Sequence, residues 1–284
     1  SNDGGVPIYF QAASGNVVDD QTHKTTWRIL KELAGRADFV YVADCKLATT
    51  EQLNYIAGQG GRFVTVLPAT RKEDTQFRKR LVDDPDAIPW HVLYEKVTYD
   101  NAGHETTVDV LSVCDDEQVS KEGYRLFWYH SLRKQQTDAA TRARRVQRTL
   151  ADLTTLRDRL DSPRTRFRTR DKVQTGVDEI LAEHSMLDLV QVTIEETEEE
   201  TFRQATRGRP GKDTKYTREL RIRYAIRWQV DGKRLERLAA GDGVFPLLTN
   251  MADWTAEEVL DAYKRQPIIE KRFSQLKTDF RVAP

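Results

Sequence analysis

Three side chains suited to chemistry on a phosphate group recur at a fixed spacing near the C-terminal end of the chain. Tyr263, Glu270 and Lys277 are seven residues apart, so on one α-helix they would lie along nearly one line. A neighbouring stripe of the same helix is apolar and consists of Ile269, Phe273 and Leu276. A carboxylate between a phenol and an ammonium group suits metal-assisted phosphate chemistry. An ordinary amphipathic surface helix can carry the same pattern, so the rest of the chain must decide.

A second acidic residue, Asp44, follows the nearly continuous apolar run 39–43. Such a run is typical of a strand that is buried on both faces. Ligands of open α/β sheets bind beyond the carboxyl ends of strands, where a carboxylate can bind a cation. Asp44 and Glu270 are therefore candidate ligands of divalent ions, although an Asp in this place can equally cap a helix or form a turn. Two ions need more than two carboxylates, which predicts a third acidic residue.

The elements that would position Asp44 alternate between strands and helices. In chain order they are a strand at 6–12, a helix at 22–35, a strand at 39–43, a helix at 50–58 and a strand at 62–68. This alternation predicts an α/β sheet with helical crossovers. A later strand at 242–250 returns to the sheet, and Thr255 caps a helix that Pro267 breaks or kinks.

The middle of the chain is predicted to be a separate insertion. We divide the chain into a first core part at 1–82, an α+β insertion at 83–223 and a second core part at 224–284. The predicted elements of the insertion are strands at 90–97, 106–111 and 125–130 and a long helix that ends before Pro163.

Two segments of the insertion are strongly basic. Residues 131–172 contain thirteen Lys or Arg against five Asp, and residues 203–227 contain nine against two acidic residues. Arg164, Arg166, Arg168 and Arg170 alternate, so a strand there would present one basic face. The second segment includes the loop 207–212, which carries Arg207, Arg209 and Lys212. This is the electrostatic pattern of a protein that binds a phosphate backbone, although a solvated helix face would also be basic.

Composition excludes several other classes of protein. The net charge is zero, with 45 basic and 45 acidic residues, and two cysteines are too few for a disulfide framework. No run approaches the ~18 apolar residues of a membrane span, so we predict no membrane partner. The five histidines show no metal-ligand spacing, and the glycines at 58–61 lack the Lys-Ser or Lys-Thr of a phosphate loop.

Together these residues resemble the DDE transposases of insertion sequences, in the branch marked by a Tyr-x2-Arg-x3-Glu-x6-Lys pattern. The resemblance rests on residues 41–47, on the strand 60–68 and on the series Tyr263, Glu270 and Lys277. Residues 3–7 and 247–250 add further matches. The likeness covers both core parts and, more loosely, the insertion.

The resemblance implies an α/β fold in which an RNase H-like mixed sheet is flanked by helices and interrupted by the insertion. It implies cleavage and transfer of DNA strands at insertion-sequence ends with two Mg²⁺ (or Mn²⁺) ions, held by Asp44 as second and Glu270 as third acidic residue. Double-stranded DNA, as transposon end and target, is the expected partner, and a homodimer on DNA is compatible with this expectation. The expected DNA-contacting residues are Tyr263, Arg265, Arg272, Lys277, Arg207, Arg209 and Lys212. The expected location is the cytoplasm of a prokaryotic cell, at the nucleoid.

The sequence departs from the family pattern in two respects. Gln266 occupies the position of the pattern's Arg, and Arg265 lies about 100° round the helix from it. The first acidic residue of the family would lie upstream of Ser1, so we read the chain as the C-terminal larger part of a transposase and do not expect it to be catalytically competent alone. A non-catalytic DNA-binding remnant and a nuclease of the same fold are the alternatives.

Overall fold

A computed structural model of the chain describes residues 8–9, 22–99, 103, 105–114, 116–205, 207–212 and 214–265. The helices are α1 (His23–Ala34), α2 (Thr50–Gly58), α3 (Lys72–Asp83), α4 (Leu132–Asp161), α5 (Arg170–Glu183), α6 (Gly232–Ala239) and α7 (Ala256–Lys264). The strands are β1 (Val40–Ala43), β2 (Arg62–Val66), β3 (Trp90–Tyr99), β4 (Glu105–Cys114), β5 (Gln118–Val119), β6 (Arg125–Ser131), β7 (Val190–Gln204), β8 (Tyr216–Val230) and β9 (Val244–Thr249). The predicted strand at 6–12 lies outside the described residues except at positions 8 and 9.

The chain divides into two compact units, one formed by residues 1–136 with 240–284 and the other by residues 137–239. This division differs from the predicted insertion at 83–223 and from the predicted second core part at 224–284. Strands β3, β4 and β6 pair into the sheet of the first unit, because β6 is hydrogen-bonded along its length to β9. The two long strands β7 and β8 pair with each other, which keeps residues 224–230 in the second unit.

The first unit is built on a mixed sheet of seven strands in the described residues. The strand order is β1-β2-β9-β6-β4-β3, and β5 pairs with β6. β1 and β2 are parallel, as expected for strands joined by a helix, and the other neighbours are antiparallel. The predicted α/β class, a mixed sheet flanked by helices, is confirmed.

Both faces of this sheet are covered, because successive side chains of a strand point to opposite sides. Phe63 and Trp128 belong to the apolar cluster beneath α1, α2 and α3. Their neighbours Val64 and Tyr129 belong to the cluster beneath α7. All four side chains are fully buried. The nearly continuous apolar runs that predicted these strands therefore reflect a sheet with helices on both sides.

The second unit packs α4 and α5 against the base of the β7–β8 hairpin. Its core contains Leu153, Leu156, Leu160, Val173, Val177, Leu181, Met186, Leu189, Val190, Ile194 and Ile226. Thr169 caps α5 by accepting a hydrogen bond from the Lys172 backbone N–H, so residues 164–169 form a loop and not the basic strand that the alternating arginines predicted. None of the helices in the described part of the chain is long and apolar enough to cross a membrane.

Replacing Gly243 with alanine is expected to destabilise the first unit by more than about 1 kcal/mol. Gly243 precedes β9 with φ +77°, and a Cβ atom there would lie 2.6 Å from the Ser131 carbonyl oxygen. Gly60 is a matched control, since its φ is +76° and a Cβ atom would meet nothing within 4 Å. Denaturant unfolding of both variants separates the steric cost from the backbone strain. Equal destabilisation of the two would contradict the close approach.

Candidate active site

Asp44 is the first residue after β1 and is held there by the neighbouring strand. The Thr65 hydroxyl on β2 donates a hydrogen bond to the Asp44 backbone oxygen at 2.6 Å. The Asp44 carboxylate accepts from the Lys46 backbone N–H at 3.0 Å and so caps a short 3₁₀ turn, Cys45–Leu47. Its side chain remains 57% exposed. Asp44 therefore does cap a turn, which is one of the roles that the sequence allows. Its carboxylate nevertheless faces solvent at the carboxyl end of β1.

His23 and Tyr41 lie beside this carboxylate, although sequence reasoning singled out neither of them. His23 Nδ1 lies 3.0 Å from the Tyr41 hydroxyl, and His23 Nε2 lies 3.9 Å from Asp44 Oδ1. Burial, together with the negative charge of Asp44, raises the pKa of Tyr41 to about 12. The phenol therefore keeps its proton at neutral pH. When Tyr41 donates that proton to Nδ1, the imidazole proton is on Nε2 and faces Asp44.

A buried ionic network joins the loops that follow β1 and β2. The Arg71 guanidinium donates to Glu122 at 2.7 and 3.1 Å, to Glu73 at 2.9 and 3.3 Å and to the Ala48 carbonyl at 3.4 Å. The Thr50 hydroxyl donates to the same Glu122 carboxylate at 2.6 Å. The Glu122 side chain is 2% exposed. The network therefore ties the loop that carries Asp44 to the start of α3 and to the turn between β5 and β6.

Both carboxylates of the network are held ionised. The hydrogen bonds from Arg71 are the main reason why the pKa of Glu73 falls from 4.5 to about 2. Burial by itself would raise the pKa of Glu122, but hydrogen bonds from Arg71, Thr50 and Ser120 outweigh it and lower the pKa to about 2. The network is thus fully charged at neutral pH.

Helix α7 ends at the same end of the sheet as Asp44. α7 packs on β1, β2 and β9, and the Lys264 ammonium near its last turn lies 4.5 Å from the centre of the Tyr94 ring. Tyr94 on β3 lies opposite Leu111 on β4, and Leu111 lies opposite Ser131 on β6. The Ser131 backbone N–H donates to the Gly243 carbonyl, next to the start of β9. Because β9 is antiparallel to β2, its start lies where β1 and β2 finish. Helix α7 therefore ends at the end of the sheet that carries Asp44.

The candidate residues named from the sequence fall into three groups. Tyr263 is half-buried against the apolar cluster beneath α7, and Arg265 is exposed at the C-cap of that helix. Arg207, Arg209 and Lys212 are exposed in the second unit, in the loop that joins β7 to β8. Glu270, Arg272 and Lys277 lie outside the described residues.

The described residues supply part of a metal site at most. Asp44 offers the hard carboxylate oxygen that Mg²⁺ prefers, and one carboxylate alone does not form a coordination shell. Among the residues that the structure describes, no group of three or more His, Cys, Asp or Glu side chains is placed to hold a metal ion. A complete site would need ligands from outside this part of the chain.

Comparison with known proteins leaves the family open. No protein-family model matches the chain, and a search of curated proteins finds no match. The function must therefore be argued from the residues themselves and their positions.

Proposed function

We propose that the first unit is the catalytic domain of an insertion-sequence DDE transposase, with an RNase H-like core that cleaves and transfers DNA strands at insertion-sequence ends. The second unit is then the insertion that precedes the last acidic residue. The observation that supports this best is the placement of Asp44. It lies at the carboxyl end of β1, at the end of the sheet where α7 ends, and Glu270 follows α7 in the sequence.

In this proposal Asp44 and Glu270 are two of the acidic ligands of Mg²⁺ or Mn²⁺, and a third acidic residue completes the set. The bound ions would supply Lewis-acid polarisation of the phosphodiester. Asp44 contributes a carboxylate whose position is set by the Thr65 hydroxyl and by the Arg71 network. His23 Nε2 lies 3.9 Å from Asp44 Oδ1, so the imidazole borders the carboxylate that would bind the metal.

The DNA in this proposal is double-stranded, as transposon end and as target. Arg265, Arg272 and Lys277 contact its backbone near the cleavage site, and Arg207, Arg209 and Lys212 contact it from the second unit. Tyr263 lies on α7 with its ring half-buried against the apolar cluster beneath that helix. In this proposal it supports Glu270 or contacts the DNA backbone. Gln266 cannot make the bidentate phosphate contact of an arginine, so neighbouring cations must bind that phosphate.

A nicking assay on supercoiled plasmid tests the activity without knowledge of the recognised end. The chain, tested with an N-terminal extension that supplies a further acidic residue, should nick the plasmid in Mg²⁺ or Mn²⁺ and not in EDTA. It should also join a pre-cleaved 3′-hydroxyl end to the plasmid. Nicking without joining would instead indicate a nuclease of the same fold. Duplex binding without any nicking would indicate a non-catalytic DNA-binding remnant.

Replacing Glu270 with glutamine in that protein is expected to lower nicking at least about 100-fold. The amide keeps the shape of the side chain but removes a negative charge from the metal ligands, and metal ions contribute several kcal/mol to such reactions. Duplex binding in EDTA should be unchanged. Glu257→Gln is the matched control, since Glu257 is exposed in the first turn of α7. Full activity of Glu270→Gln would remove this residue from the proposed site.

A further inference from the structure

Most of the arginines along the stem of the β7–β8 hairpin are paired with carboxylates. The acidic run 195–200 lies on β7, opposite residues 220–225 of the arginine-rich strand β8, so most carboxylates meet arginines diagonally across the pair. The ion pairs are Arg227 with Glu195, Arg170 with Glu196, Arg223 with Glu199, Arg218 with Glu200 and Arg203 with Glu219. The basic segment 203–227, which looks like a phosphate-binding stretch in the sequence, is therefore largely neutralised along this stem.

The cations between α4 and α5 have no such partners. Two cavities of about 570 and 290 Å³ lie along these helices and share Glu183 as a lining residue. We call the two together the α4–α5 groove. The exposed cations that line it are Arg144, Arg145, Arg148, Arg159, Arg166 and Lys172. Within the described part of the second unit, none of the six makes an ion pair with a carboxylate.

The groove is long and retains a net positive charge. Arg145, Arg148 and Arg159 lie on one side of α4, because spacings of three and eleven residues place them within about 60° of one another around an α-helix. They span fourteen residues, or about 21 Å, which is about six base pairs of duplex at 3.4 Å each. The carboxylates that line the groove are Asp152, Glu179 and Glu183. Six Lys and Arg side chains against three carboxylates leave an excess of three positive charges.

We infer that the α4–α5 groove binds the sugar-phosphate backbone of duplex DNA, and that the stem of the β7–β8 hairpin does not. The choice of DNA as ligand rests on the proposed function, whereas the choice of surface rests on the distribution of ion pairs. Phosphate binding needs cations whose charge is not already neutralised by the protein. The groove has such cations, and each stem arginine named above would have to exchange a carboxylate for a phosphate.

The lining of the groove favours a duplex over a single strand. Proteins that bind single strands stack bases on exposed aromatic rings. Phe167 is the only phenyl, phenol or indole ring that lines these two cavities in the described residues. Its ring is half-buried, and the Arg166 guanidinium lies 5.6 Å from its centre. The cation lies over one face of this half-buried ring, which makes the ring a poor stacking platform for a base.

Two double variants with the same change of charge test the inference in the full chain. Arg145→Ala with Arg148→Ala removes two groove cations, and Arg218→Ala with Arg223→Ala removes two stem cations. Binding to a short fluorescein-labelled duplex is measured by anisotropy in EDTA over a range of salt concentrations. The groove variant should bind roughly 10- to 60-fold more weakly near 0.1 M salt, with a salt slope reduced by about 1.8. The stem variant should bind within about threefold of the parent. Circular dichroism and Tm establish that both variants are folded.

The possible results separate the groove from the catalytic proposal. Unchanged binding of the groove variant, or a larger loss in the stem variant, would overturn the inference, as would absence of duplex binding by the parent chain. Tighter binding of a labelled single strand of DNA or RNA at the same residues would overturn the assignment of a duplex. Loss of binding in the groove variant supports the inference even if the plasmid is never nicked, in which case only the catalytic proposal fails.

Discussion

Replacing Asp44 with asparagine is expected to lower metal-dependent DNA cleavage at least about 100-fold while the fold remains intact. The amide oxygen of asparagine can still accept the hydrogen bond from the Lys46 N–H, and Thr65 donates to the backbone of residue 44 and not to its side chain. The substitution therefore removes a charge and keeps the local structure. Since metal ions contribute several kcal/mol of charge stabilisation and each 1.36 kcal/mol is tenfold in rate, the loss should exceed about two orders of magnitude.

The experiment is the plasmid nicking assay, with Tm as the measure of folding. Asp38→Asn provides a matched control, because Asp38 lies just before the same strand, is exposed and pairs with Arg36 at 3.4 Å. It carries the same change of charge away from the carboxyl end of β1 and should leave nicking unchanged. An Asp44→Asn protein that nicks at the parent rate would show that Asp44 is only a cap of its 3₁₀ turn.

The first unit follows from the sequence wherever a strand is covered on both faces. Residues 39–43, 62–68 and 242–250 are apolar runs, and each is a strand of the central sheet. α1, α2 and α7 are also predicted, since Gly35 ends α1 and Thr255 caps α7. The cap of α2 was placed at Thr50, and the structure has it one residue earlier, at Thr49. Local patterns suffice here because burial on both sides demands apolar residues at nearly every position of a strand.

The boundary of the insertion could not be predicted in this way. A local pattern of apolar residues shows that β3, β4 and β6 are strands, but it does not show which sheet they join. That choice depends on the pairing of β6 with β9, which comes after the whole second unit in sequence.

Strand β7 was missed for another reason. Its outer half is acidic, and only the arginines of β8 opposite it make that composition compatible with a strand.

Of the residues at the candidate site, only Asp44 could be predicted from the sequence. Asp44 is recognisable because it follows an apolar run. His23 is eighteen residues from Tyr41 in sequence, and Arg71 is fifty-one residues from Glu122. Such pairs carry no local spacing signal, because the fold and not the helix or strand period brings them together. Sequence reasoning therefore finds the carboxylate and misses the residues that position it.

Replacing Arg71 with alanine is expected to lower the free energy of unfolding by about 3–5 kcal/mol at neutral pH. The Glu122 carboxylate is 2% exposed, and without the guanidinium it would be left buried with its charge unpaired. Lys79→Ala is the comparison, because Lys79 forms an exposed i,i+4 pair with Asp83 and such pairs contribute only about 0.3–0.5 kcal/mol. Denaturant unfolding measures both. Adding Glu122→Gln to Arg71→Ala should recover part of the loss, since it removes the unpaired charge.

The pH dependence of stability separates this ionic role from simple loss of packing. Glu73 and Glu122 have pKa values of about 2 in the folded protein against an ordinary 4.5. Their contribution is therefore fully present above pH 4.5 and is lost as the pH falls towards 2. Without Arg71 the pKa of both carboxylates rises, so the variant should lose less stability over that interval than the parent. Parallel curves for the two proteins would mean that Arg71 acts through packing alone.

Arg71 also holds the loop that follows β1, because it donates to the Ala48 carbonyl. The ionic interpretation therefore further predicts weaker plasmid nicking by the variant under conditions where it remains folded.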